Sequence, residues 1–178
     1  MRTSTESKSN RERRKMMYMA LTAIFAALIT VMTAYIFHVP VSLTGGYIHF
    51  GDGLIFLAAC ILPRPYAMAA GAIGGGLADL LTAPMWTLPT IVVKMLIVLP
   101  FTSRSRRIMC GRNIIGTVLS YIISATGYYI AESFVFGYEV AFINSYLGSL
   151  VQAAGSTILF IVAGIALDKV QIKKKIGG

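Results

Sequence analysis

Gly51 to Lys94 reads GDGLIFLAACILPRPYAMAAGAIGGGLADLLTAPMWTLPTIVVK. Apart from Arg64 in a proline-flanked turn, its ionisable groups are Asp52, Asp79 and Lys94, each set among aliphatic or small residues. In a lipid-embedded helix each such group costs about 2.5 to 3.5 kcal/mol on insertion scales, so ionisable residues in membrane segments mark functional sites by default. The remainder of the chain is read here as holding these three groups in place or connecting them to other molecules.

Working outward, 56% of the 178 residues are hydrophobic and 13% are charged. That is far more apolar sequence than one soluble core of this length needs, so an all-α polytopic membrane protein is expected. With about 20 residues needed to cross the hydrocarbon, six transmembrane helices are expected at 16–37, 48–62, 65–82, 88–103, 113–135 and 143–167. The second and fourth are short. They suit either a locally thinned bilayer or helices shielded by their neighbours and by water. Residues 16–168 form one expected transmembrane domain, flanked by basic tails at 1–15, read as mobile, and at 169–178.

Fifteen of the 16 basic residues fall on one face of this six-span arrangement. They precede the first span, follow the sixth, and occupy the loops carrying Arg64 and Arg104 to Arg112. The exception is Lys94. Basic residues in short loops are retained in the cytoplasm, which places both termini there. The same clusters account for the net charge of +9 without nucleic-acid binding, since no base-stacking aromatics are interleaved with them. The first apolar run is too long for a cleavable signal peptide and is expected to remain as a span. Cys60 and Cys110 have no metal-type spacing and read as packing thiols, and no metal site is expected.

In the first span Ala23 and Ala27 share a helical face, where small side chains admit close approach of another helix, internal or foreign. The outer loop 38–50 contains Gly45-Gly46, Tyr47 and His49, either a lid over an external pocket or a plain connector. In the third span Ala67, Gly71, Gly75 and Asp79 repeat every four residues on one face. Trp86 is an interfacial anchor or a ring-stacking platform. Pro89 opens the fourth span, where Thr87, Thr90 and Lys94 share a face, and Lys94 either snorkels to the interface or enters a pocket. Tyr121, Ala125, Tyr128 and Glu132 form a stripe in the fifth span, as do Asn144, Gly148, Gln152 and Ser156 in the sixth.

With the topology fixed by the basic clusters, Asp52, Asp79, Lys94, Glu132 and Asn144 all fall in the outer third of the bilayer, and Gln152 somewhat deeper. The inner halves of these helices hold no ionisable residue. A proton path would need further polar groups toward the cytoplasm. An apolar-walled pocket opening outward, with a few convergent polar groups, fits better. Lys94 is expected to pair with Asp79 or Glu132, or to meet a ligand acceptor, and Tyr128, Trp86 and Tyr47 would suit a flat ring. No phosphate-binding loop is present, so ATP hydrolysis is not expected of this chain.

Gly51-Asp52-Gly53 with the apolar run that follows, Gly71-x-x-Gly74-x-x-x-Ala78-Asp79, and Pro89-Thr90-x-x-x-Lys94 together resemble the substrate-binding S components of energy-coupling factor (ECF) vitamin transporters. The resemblance extends to size, six spans, inside termini and the small-residue first helix. It implies high-affinity capture of a vitamin or precursor from outside, in the cytoplasmic membrane of a bacterium. The implied partners are a transmembrane coupling subunit, docked through Ala23 and Ala27, and two ATP-binding-cassette ATPases. The chain itself would carry no cofactor, with ATP held by its partners. Within the family the resemblance is to hydroxymethylpyrimidine and pyridoxine members, with pantothenate ranked behind. The competing reading is a self-sufficient proton-coupled secondary carrier. An intramembrane enzyme is disfavoured by the lack of His-Glu-x-x-His and Gly-x-Ser-x-Gly patterns.

Overall fold

The structure, a computed structural model, describes residues 4–36, 38–41 and 46–177, with side chains undescribed at 4–8, 40, 41, 46, 47, 140, 143, 144 and 177. The chain is almost wholly helical. In order it forms α1 (Ser4–Ala34), a hairpin of β1 (Val39–Val41) and β2 (Gly46–Ile48), α2 (Asp52–Ile61) and α3 (Arg64–Thr82), then a 3-10 turn (Pro84–Trp86), α4 (Thr87–Leu96), α5 (Gly111–Phe136), α6 (Tyr138–Lys169) and α7 (Ile172–Gly177).

Among the described residues, three segments are long and apolar enough to cross a membrane: Ser9–Ala34, Gly111–Phe136 and Ser145–Lys169. Their outward faces carry Ile24, Leu28, Ile115, Val118, Ile158 and Val162, all exposed. An apolar exterior of this extent is what a lipid-facing surface requires. The chain is therefore a multi-pass membrane protein.

The expected spans at 48–62 and 88–103 are much shorter as helices. α2 and α4 have 10 residues each, about 15 Å at about 1.5 Å per residue, or half the hydrocarbon thickness. Proline sets the end of α2: Leu62, before Pro63, is extended at φ −90° and ψ 153°, as the ring of a following proline demands. α4 gives way to turns at Ile97. Shielding by neighbours explains how such short helices are tolerated, since α2 packs against α1, α3 and α6 and most of its residues are buried. Residues 4–15, expected as a mobile tail, continue α1 instead. Glu, Lys and Arg are good helix formers, and Lys15 bonds Glu12 one turn earlier at 3.1 Å. The outer loop 38–50 holds an antiparallel hairpin with Val39 opposite Ile48.

Glycines set the spacing of α3 from α1 and of α2 from α6. A Cβ on Gly74 would lie 2.7 Å from Ile29 Cβ and 2.8 Å from the Ala26 carbonyl, so α3 touches α1 backbone to backbone. Thr30 Oγ1 then donates across the contact to the Gly74 carbonyl at 3.1 Å. Gly53 lies equally close to α6, where a Cβ would come within 2.7 Å of the Ser156 carbonyl. At Gly137, φ is +84°, a value glycine adopts without strain, and the chain reverses there from α5 into α6.

At the opposite end of the bundle, Asn113 and Asp168 fix the loop between α4 and α5. Asn113 accepts from the Thr102 N–H at 2.9 Å and donates to the Ile108 carbonyl at 2.9 Å. The two Asp168 carboxylate oxygens accept from the N–H groups of Ile108 and Met109 at 2.8 and 2.9 Å. Cys60 and Cys110 are both free thiols.

Candidate functional site

Three helices bring one polar cluster together. Asp52 is the first residue of α2, and Lys94 lies in the last turn of α4. Negative charge at a helix start and positive charge at a helix end both complement the backbone dipole. Lys94 Nζ donates to Asp52 Oδ1 at 2.6 Å, and Gln152 Nε2 on α6 donates to Asp52 Oδ2 at 2.8 Å. Lys94 is 1% exposed and Asp52 4%. Snorkelling is thereby excluded for Lys94. The expected pairing of Lys94 with Asp79 or Glu132 is also corrected: its salt-bridge partner is Asp52.

Room for the lysine stem comes from α3. A Cβ on Gly75 would stand 2.8 Å from Lys94 Cγ, and one on Gly71 would stand 3.0 Å from the Lys94 carbonyl. The ladder of Ala67, Gly71, Gly75 and Asp79, all buried, therefore admits α4. Asp79 is among the electrostatic neighbours of Lys94, without replacing Asp52 as its ion-pair partner.

Aromatic rings flank the cluster. The Tyr128 ring centroid is 5.6 Å from Lys94 Nζ, within cation–π range, and the Tyr128 hydroxyl bonds Thr90 Oγ1 at 2.8 Å. Trp86 lies edge-on to Tyr128 at 6.5 Å and 6.1 Å from Phe136. It is buried at 5% exposure, so it faces the protein interior and is not an interfacial anchor. His49 is buried, and its Nδ1 accepts from the Gly51 N–H at 3.0 Å, which puts the proton of the neutral ring on Nε2. Glu132 accepts from Ser145 Oγ at 2.6 Å across α5 and α6. The side chains of Tyr47 and Asn144 lie outside the described residues.

Each member of the cluster has a phenylalanine further along its own segment toward the Arg104 loop. Phe56 follows Asp52 by one turn, Phe160 follows Gln152 by two, and Phe101 follows Lys94 past the end of α4. These rings meet at 4.9 Å (Phe56 and Phe101), 5.9 Å (Phe101 and Phe160) and 6.0 Å (Phe56 and Phe160). A polar layer thus sits directly on an apolar plug, a feature the sequence reading did not register. The i, i+4 and i, i+8 spacings on α2 and α6 were the available signal.

Among the described residues, Trp86 Nε1, Thr87 Oγ1, Ser124 Oγ and Ser156 Oγ are buried without a hydrogen-bond partner. Unsatisfied buried polar atoms are rare in native proteins. Ser124 lies one turn from Tyr128 and Ser156 one turn from Gln152, so these donors lie near the cluster in sequence, at helical spacing. In the sequence Ser156 was visible only as a member of a polar stripe, and Thr87 and Thr90 only as sharing the Lys94 face. An apolar enclosure with a few polar groups in fixed positions can bind a small molecule.

Residues 14–169 match the model of the family described as ECF-type riboflavin transporter, S component. The chain belongs to this S-component family. A relative from Pyrococcus woesei, described as an uncharacterized protein in the gap 3' region, is 30% identical over 148 residues, 82% of this chain and 95% of that protein. As an S component the chain is a vitamin-binding transport subunit and not an enzyme. Family members work with an energy-coupling module carrying ATPases, consistent with the absence of a phosphate-binding loop from this S component.

Proposed function

We propose that this S component captures a small vitamin or vitamin precursor from the outer face of a bacterial cytoplasmic membrane. Hydroxymethylpyrimidine and pyridoxine are favoured, with pantothenate behind them. The carrying observation is the buried Asp52, Lys94 and Gln152 cluster with Tyr128 and Trp86 beside it. An ion pair this deep in a membrane protein is weak evidence for stability, but it supplies both a donor and an acceptor to a ring with polar substituents. Trp86 and Tyr128 provide stacking faces. Asp79, Glu132, His49, Asn144 and Tyr47 complete the pocket in this reading, and the phenylalanine plug closes it toward the cytoplasm.

The six-span arrangement with both termini inside belongs to the same proposal. Its support is the gathering of Arg64, Arg104 and Arg112 at the end of the bundle away from the polar cluster. Ala23 and Ala27 are exposed on α1, which suits docking on a transmembrane coupling subunit driven by two ATPases. Riboflavin is the second reading, favoured by the description of the matching family.

The test is thermal unfolding of the purified protein against hydroxymethylpyrimidine, pyridoxine, pantothenate, riboflavin and unrelated vitamins. A ligand that binds only the folded state raises its melting temperature by mass action. A selective shift with hydroxymethylpyrimidine or pyridoxine supports the first reading. A shift with riboflavin, or a co-purifying flavin, supports the second. No shift with any of them in folded, ligand-free protein overturns both.

A further inference from the structure

The end of the bundle opposite the vitamin-binding cluster contains a cavity of about 510 Å3. Arg64, Arg104 and Arg112 line it, with the hydroxyl residues Thr102 and Ser103 between them. The three arginines come from separate places: the α2–α3 turn, the loop after α4, and the start of α5. Among the described residues that line the cavity, none is acidic.

Retention of positive charge in the cytoplasm explains why arginines occur in these loops. It does not explain their convergence. Arg106 and Arg107 lie on the same loop and do not line the cavity. Arg64 is the first residue of α3 and Arg112 the second of α5, so two cations sit at the positive ends of helix dipoles, where they are destabilising. An anion between them would relieve both. The walls are held in advance: Asn113 and Asp168 fix the loop through its backbone, and Arg112 Nε donates to the Pro100 carbonyl at 3.2 Å, orienting the guanidinium. Guanidinium groups remain charged at all working pH values and match phosphate oxygens in geometry.

We propose that this arginine-lined cavity binds a phosphate group, carried either by an anionic lipid headgroup of the adjacent leaflet or by a soluble phosphate compound. The site is independent of vitamin capture. An anionic headgroup seated there would tie the loop to the membrane surface.

The full chain, purified in a zwitterionic or neutral detergent, is titrated with short-chain phosphatidylglycerol, short-chain phosphatidylcholine and inorganic pyrophosphate, with thermal unfolding as readout. The expected result is stabilisation by phosphatidylglycerol or pyrophosphate and not by phosphatidylcholine. The half-effect concentration should rise about tenfold or more in Arg64→Gln/Arg104→Gln/Arg112→Gln. In Arg11→Gln/Arg106→Gln/Arg107→Gln, which removes equal charge elsewhere, it should stay within about twofold. Response to phosphatidylglycerol alone assigns a lipid source, and response to pyrophosphate assigns a soluble one. Stabilisation by neither, or equal loss in both triple variants, overturns the proposal. Should the first triple variant fail to give monodisperse protein, Arg104→Gln alone carries the test, with loss of affinity expected and unchanged affinity overturning it.

Discussion

Replacing Lys94 with methionine while Asp52 remains tests whether the two act as a unit. Lys94 Nζ is 2.6 Å from Asp52 Oδ1, and both residues are almost completely buried. Removing one partner of such a pair leaves a buried charge uncompensated and costs about 3–5 kcal/mol. In a chain of this size that is a fall of roughly 6–20 °C in melting temperature at about 2–4 °C per kcal/mol. Among the described residues, the carboxylate would then keep only the bond from Gln152. Asp52→Asn should be destabilising in the same way, with the lysine left as the stranded charge. In Asp52→Asn/Lys94→Met both charges are gone, and exchanging a buried pair for neutral groups of similar volume is often close to neutral. The double variant should therefore be more stable than either single one, with a coupling energy of about 3 kcal/mol. The assay is thermal unfolding of all four proteins in one detergent without ligand. Single variants within about 0.5 kcal/mol of the parent, or a double variant whose loss equals the sum of the singles, would show that Asp52 and Lys94 do not act as a unit.

Three further outcomes are expected. Gly74→Leu should separate α1 from α3 at Ile29 and lower stability by about 1–3 kcal/mol through overpacking; an unchanged melting temperature would mean the helices are not in backbone contact there. Asp168→Ala should strip the Ile108 and Met109 N–H groups of their acceptor, at about 1–3 kcal/mol for each N–H left unsatisfied. Tryptic cleavage after Arg104, Arg106 and Arg107 should accelerate, and an unchanged cleavage rate would contradict the anchoring role. Ala23→Trp or Ala27→Trp should leave vitamin binding intact and block assembly with the coupling subunit, measured by co-purification. Lost binding with intact assembly would reverse the assignment of that face.

The membrane character of the chain was legible in the sequence, as was the presence of polar residues within its apolar runs. Burying Asp52, Lys94 and Gln152 in apolar sequence is costly whatever the fold, so composition alone singles them out. The partner of Lys94 was not legible. Depth along a helix follows from counting residues, but azimuth depends on which helices are neighbours. The approach of α2 to α6 rests on Gly53, whose missing Cβ carries no hydropathy signal. Trp86 was ambiguous for a related reason, since a tryptophan near a loop has the same sequence signature facing lipid or facing Tyr128. Helix lengths failed at α2 and α4 because hydropathy registers an apolar run and not the proline or turn that ends the helix. The helical form of 4–15 was not anticipated because its charge suggested solvation, whereas its residues also favour continuing α1.

Vitamin binding is proposed for the Asp52, Lys94 and Gln152 cluster. Equilibrium binding of the stabilising ligand from the panel to the parent protein and to folded Asp52→Asn/Lys94→Met tests it most directly. Affinity should fall by roughly a hundredfold or more, about 2.7 kcal/mol, in a double variant that unfolds near the parent temperature. Equal affinity in the two folded proteins would contradict it and place the vitamin elsewhere.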